Sequence, residues 1–153
     1  MSQKNMNWFD NVEARQHPWP GLNWLTTALN VKNVRDAVEF YSSAMGFVPI
    51  FELPDESGQL LFARMRYRGC NFTLNREGFD SNAQSPADTG NATPFSFYLY
   101  VDNAADTASK AISLGATEVF AVREEFWGDL RARVRDPFGY VWDFAQAPAI
   151  PRS

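Results

Sequence analysis

The chain repeats itself at a spacing of 70 residues, and this limits it to folds built from two equivalent modules. Val31-Lys32-Asn33 recurs as Val101-Asp102-Asn103, and Asp36 recurs as Asp106. Gly69 recurs as Gly139, Phe72 as Trp142 and Leu74 as Phe144, so both ends of the unit are copied in register. The length of 153 residues fits a single domain, and the two modules must therefore share it. Duplicated modules commonly enclose a cavity between them, which makes equivalent strand positions the place to look for chemistry.

Within the first copy, Thr27, Leu29 and Val31 alternate with Thr26, Ala28 and Asn30, predicting a strand over Leu25–Val31. Asn33 with Asp36 in the first turn predicts a capped helix. Its apolar residues run from Val34 to Met45 at helical spacing, and Gly46 stops it. Phe47–Leu53, Leu60–Tyr67 and Cys70–Asn75 read as strands, so the first module, 22–77, is βαβββ. Gly78 to Thr93 is polar and reads as a solvated linker. The second module, 94–146, repeats the pattern: a strand over Phe95–Val101, a helix capped by Asn103 and stopped by Gly115, and strands over Val119–Val122, Leu130–Arg135 and Tyr140–Ala145. The predicted class is α+β, two tandem βαβββ modules whose curved mixed sheets form a shared cup. Residues 1–21, ending in His17-Pro18-Trp19-Pro20-Gly21, form an aromatic arm, and 147–153 a tail too rich in proline to pair.

A net charge of -4 argues against nucleic acid, and the absence of any long apolar run argues against a membrane span. The lone Cys70 has no intrachain disulfide partner, and it is read as a buried apolar thiol. These features, with no apolar leader segment, lead to the expectation of a cytoplasmic protein.

The phrases Asp36-Ala37-Val38-Glu39-Phe40-Tyr41, Val101-Asp102-Asn103 and Asp136-Pro137-Phe138-Gly139-Tyr140 resemble the glyoxalase, bleomycin-resistance and extradiol-dioxygenase superfamily, also called vicinal oxygen chelate proteins. The resemblance runs from Leu22 to Gln146; Phe126-Trp127-Gly128 adds a likeness to the phosphonate-associated and antibiotic-binding members. It implies that metal-dependent members draw one ligand from the first and one from the last strand of each module. Carried over by position, those sites are Thr26, Thr73, Ser96 and Asp143, and the repeat pairs them in the same way. Only Asp143 is of a type that binds transition metals well, so no metal and no cofactor are expected. The resemblance also implies a homodimer, because in many relatives a neighbouring chain completes the cup.

Alternation places Ala28, Asn30, Asn71 and Asn75 beside Thr26 and Thr73, and Tyr98, Tyr100 and Val141 beside Ser96 and Asp143. The expected ligand-binding set is Thr26, Ala28, Asn30, Asn71, Thr73, Ser96, Tyr98, Tyr100 and Asp143, with Trp127 as an aromatic lid. Asp143 is the candidate acid or base, or the counter-charge to a cationic ligand; its alternative role is to hydrogen-bond Ser96, Thr26 or Tyr98 and hold the sheet closed. Arg64, Arg66, Arg133 and Arg135 are read as solvated charges on the outer faces that blunt edges, with an anion site as the alternative. The favoured function is a homodimeric module binding a small aromatic or cationic molecule. The alternatives are an enzyme lacking the family's usual metal site, with Asp143 as acid or base, and a pseudo-enzyme that acts on a partner protein.

Overall fold

The computed structural model describes residues 6–149, so the ends of the arm and tail, 1–5 and 150–153, lie outside the described residues. The first module contains β1 (Ala28–Val31), α1 (Val34–Met45), β2 (Val48–Pro54), β3 (Leu60–Tyr67) and β4 (Cys70–Arg76). A short helix, α2 (Pro86–Thr89), precedes the second module of β5 (Phe97–Tyr100), α3 (Ala104–Ser113), β6 (Thr117–Glu124), β7 (Leu130–Arg135) and β8 (Val141–Gln146). Each module forms its own four-stranded sheet, in the orders β1-β4-β3-β2 and β5-β8-β7-β6. The first strand of each sheet pairs in parallel with the last, and the other pairings are antiparallel. The α+β class and the tandem modules follow the repeat, and the curved sheets are not closed into a barrel.

The caps explain why the helices begin where they do. Asn33 accepts a hydrogen bond from the Asp36 N–H at 3.0 Å, and Asn103 does the same for Asp106 at 2.9 Å, each satisfying a donor that the first helical turn leaves free. Gly46 ends α1 in the left-handed region at φ 81, where a side chain would be strained.

One face of each sheet packs under the helices, and the two sets of buried residues merge into a single core. Leu29, Val31, Phe72 and Leu74 from the first module join Val134, Trp142 and Phe144 from the second. Burying a large apolar side chain contributes about 1.5–3 kcal/mol, so this shared core is the main force that makes one domain of two modules. Polar contacts fix its register. Tyr41 in α1 donates its hydroxyl to Asp136, which also accepts from the Trp142 Nε1–H at 2.9 Å and from the Phe138 and Tyr140 backbone N–H groups. Burial pushes the Asp136 carboxyl up despite those donors. Across the same seam, the Tyr140 hydroxyl donates to the Asn30 carbonyl and accepts from the Asn30 N–H.

Three sequence expectations change. Strand β1 begins at Ala28 instead of Leu25, because residues 22–25 serve as the inner end of the arm and Asn23 bonds to Asn71. The segment 78–93 is not wholly solvated: Ser85 is buried and α2 docks on the 136–139 turn through an Ala87 N–H bond to the Phe138 carbonyl at 3.0 Å. Cys70 is exposed, since it opens β4 beyond the reach of β1, whose first residue pairs with Thr73.

Removing the donor to Asp136 by Tyr41→Phe should lower unfolding stability by about 1.5–3 kcal/mol, the range for hydrogen bonds to charged groups. Gly139→Ala should be at least as harmful, because Gly139 has φ +93 and an added Cβ would lie 2.6 Å from the Ala87 nitrogen. Denaturant titration of both variants measures these losses.

Candidate functional site

The sheet faces turned away from the core carry the residues singled out by the repeat. In the second module, Tyr98 stands opposite Asp143 and Tyr100 opposite Ala145, while Arg133 stands opposite Asp143 from the other side. Asp143 is only 1% exposed, and both its oxygens are engaged. Arg133 donates Nε to Oδ1 at 2.8 Å and Nη2 to Oδ2 at 3.3 Å, and the Ser96 hydroxyl donates to Oδ2 at 2.7 Å. Arg131 adds a second positive charge, its Nη1 lying 3.9 Å from Oδ1. Arg133 and Ser96 thus hold the carboxylate in a fixed orientation, with Arg131 as a more distant charge.

Beside it lies a second carboxylate that sequence reasoning did not single out. Asp129 Oδ2 accepts the Tyr98 hydroxyl at 2.8 Å, the Tyr100 hydroxyl at 2.7 Å and the Trp127 Nε1–H at 2.9 Å. Burial pushes the Asp129 carboxyl up, but the bonds from Tyr100, Tyr98 and Trp127 and the nearby Arg131 charge outweigh it and hold it below the usual carboxylate range. Tyr98 moves the other way and is pushed up to about 12, by burial first and then by its bond to Asp129. All three aromatic side chains thus turn their polar ends inward while their rings stay 40%, 48% and 45% exposed. The Arg131 guanidinium sits 5.7 Å from the Tyr98 ring centre, 5.6 Å from Trp127 and 5.3 Å from Phe120, and Glu125 binds its Nε at 3.0 Å.

Register places Ala28 beside Thr73 and Asn30 beside Asn75 on the first-module face. Thr26 precedes β1 and is half-buried. Asn71 donates to the Gly21 carbonyl and to Asn23, and accepts from Arg64 at 2.8 Å, so the arm covers that corner. Toward the outer edge, Val48, Phe51 and Leu53 are exposed along β2. Among the described residues, no hydrogen bond joins the side chains of one face to those of the other. The structure therefore brings together Ser96, Tyr98, Tyr100, Trp127 and Asp143 as one group and Ala28, Asn30, Asn71 and Thr73 as another.

The arginine expectation is corrected. Arg64 and Arg133 lie on the site faces, bonded to Asn71 and Asp143, and Arg66 reaches the Gly21 carbonyl. Their strand neighbours explain this: Ala63, Met65, Ala132 and Val134 take the core side, which leaves the alternating arginines no other face. That alternation is visible in the sequence; Asp129, which shares its loop with Glu125, gives no comparable signal. A family metal does not fit these residues. Three of the four positions are hydroxyls, and the one carboxylate already holds a guanidinium; no three His, Cys, Asp or Glu side chains converge among the described residues.

Residues 21–144 match the family model of the Glyoxalase/Bleomycin resistance protein/Dioxygenase superfamily, and the chain belongs to that superfamily. The uncharacterized protein Rv0887c of Mycobacterium tuberculosis is 30% identical over 125 residues, covering 80% of this chain and 73% of that protein. TioX from Micromonospora sp. ML1 superposes with a TM-score of 0.64 at 22% identity, over 81% of this chain and 98% of its own. The bleomycin resistance determinant encoded on the transposon Tn5 does so with a TM-score of 0.56 at 20% identity, over 82% and 98%. At these identities the solved structures establish the shared fold alone. No helix among the described residues is long and apolar enough to cross a membrane.

The Asp129 cluster makes stability depend on pH at both ends. The carboxyl is depressed in the folded state, so its contribution is present above the unfolded value near 3.9 and lost as pH falls through the lower folded value. Tyr98 is raised, so its contribution is present below about 10 and lost as pH climbs toward about 12. Asp129→Asn should flatten the acid end of the stability profile and lower Tyr98 part of the way, burial still holding it above an ordinary phenol, as read by unfolding curves and absorbance titration.

Proposed function

We propose that the protein is a binding module that holds a small organic molecule by its flat aromatic part against Tyr98, Tyr100 and Trp127, in a cup completed by a second copy of the chain. The observation that carries this reading is the triple bond set at Asp129. It fixes three ring orientations before any ligand arrives and leaves their faces open. Pre-ordered aromatic surface loses little entropy on binding, which favours affinity for a planar partner.

The site's charges narrow the ligand. Asp143 is neutralised by Arg133, and Asp129 is satisfied by three donors, so neither offers the free negative charge that a cation would need. The reading therefore keeps the aromatic half of the sequence expectation. It also favours binding over proton transfer, since both Asp143 oxygens are bonded. Kinship of fold with a protein described as a bleomycin resistance determinant is consistent with a binding role.

The second copy is favoured by what one chain leaves uncovered. Val48, Phe51 and Leu53 on one face, and Tyr98, Tyr100 and Trp127 on the other, are more open than a monomer's surface needs to be. Two-fold association that lays the first-module face of one copy over the second-module face of the other buries both at once, and closed two-fold pairs are the commonest oligomers.

Sedimentation should give a dimer of the 17.3 kDa chain at micromolar concentration, and Phe51→Glu should shift it to monomer. Calorimetric titration with the neutral probe 2-naphthol should show binding that Trp127→Ala weakens by about 1–3 kcal/mol. A monomer, or equal binding to both proteins, would remove the proposal.

A further inference from the structure

Next to the Asp143 pair, at the end of the face where β5 begins, lies a cavity of about 360 Å³ with Arg133, Arg135, Ser96 and Thr93 on its walls. Its volume is in the range of small-molecule sites. Phe95, Val119 and Val141 give it an apolar side, and no carboxylate lines it. Arg133 and Arg135 are two apart on β7 and point the same way, opposite Asp143 and Val141 respectively.

The charge balance of this cavity is uneven. The adjacent carboxylate, Asp143, is matched to Arg133 through two bonds and is almost fully buried. Arg135 is exposed and has no hydrogen-bond or ion-pair partner among the described residues. One guanidinium charge therefore remains uncompensated, beside a second guanidinium that Asp143 holds in a fixed orientation. A planar guanidinium presents paired N–H donors that match the oxygens of a carboxylate or a phosphonate. The hydroxyls add little donor capacity, because Ser96 already gives its hydrogen to Asp143 and Thr93 gives its own to the Phe95 carbonyl at 3.1 Å.

We infer that this cavity binds the oxyanion head of a small organic acid, with Arg135 as the specificity-determining residue, Arg133 as its partner, and the apolar wall against the carbon body. The inference rests on the aromatic-ligand reading above and deepens it: the molecule held is an aromatic acid, its head between the two arginines and its ring reaching from the apolar wall toward Tyr98, which stands beside Asp143, and the rings next to it.

The test compares 2-naphthoate with its neutral counterpart 2-naphthamide by calorimetry, on wild type, Arg135→Gln and Trp127→Ala, with melting curves for each. Wild type should prefer the acid at least ten-fold, and added salt should reduce the preference. Arg135→Gln should abolish the preference, lowering naphthoate affinity at least ten-fold more than naphthamide affinity, with an unchanged melting temperature. Trp127→Ala should weaken both compounds alike. Phenylphosphonate competing against naphthoate in wild type, and failing to bind Arg135→Gln, would support the same site. If acid and amide bind wild type equally, or the preference survives in Arg135→Gln, the oxyanion inference is wrong and the aromatic reading stands. If neither compound binds wild type at millimolar concentration, both are wrong.

Discussion

Asp136 is buried at the seam of the two modules, where it accepts hydrogen bonds from Tyr41 of the first module and Trp142 of the second and from two backbone N–H groups of its own turn. A carboxylate in such a place is tolerated only when its oxygens are satisfied, so the contact sets the position of α1 against the 136–140 turn. Tyr41 in turn packs edge-on against Phe72 and tilts against Trp142, which ties this polar contact to the apolar core. With α1 and α3 committed to the shared core, the opposite face of each sheet is left for other uses. The location of the site is therefore a consequence of how the modules are joined.

On that free face the second module carries two polar groups, built around Asp143 and Asp129. Where the resemblance implies four ligands around a metal, the second module has an Asp143–Arg133–Ser96 group, in which a guanidinium supplies the positive charge. A guanidinium is weakly hydrated and directional, suited to recognising an oxyanion and unsuited to acting as a Lewis acid. The neighbouring Asp129 group performs a different task, turning two phenols and an indole into a rigid set of exposed rings. Together the two groups favour selection of a ligand by shape and charge.

The fold was legible because the repeat carries both local and long-range information. Asn33 and Asn103 mark the helix starts, and the apolar side of each strand identifies its core face: Leu29 and Leu74 in one copy, Trp142 and Phe144 in the other. The same alternation correctly grouped Ser96, Tyr98, Tyr100 and Asp143 on one face. It also puts Arg133 there, since Ala132 and Val134 require the core, although charge by itself points to solvent. Asp129 was hidden for a different reason. Trp127 is its near neighbour in the loop, but Tyr98 and Tyr100 come from β5, an association created by tertiary packing that no local spacing encodes. Cys70 is exposed, against expectation, because burial near a strand end depends on where the neighbouring strand stops.

The surface offers a rival location for an aromatic ligand, a cleft of about 250 Å³ between the modules that shares Tyr98 with the proposed site but is otherwise lined by residues such as Leu25, Phe47, Cys70 and Phe97. Nitrogen-detected NMR during titration with 2-naphthoate distinguishes the two most directly, because the Trp127 indole N–H is itself one of the bonds to Asp129. Binding on the proposed face moves this resonance together with the backbone amides of β7, none of whose residues lines the rival cleft, while the Trp8, Trp19 and Trp24 indoles and the Cys70 amide stay in place. Shifts confined to Leu25, Phe47 and Cys70, with the Trp127 indole unmoved, would contradict it.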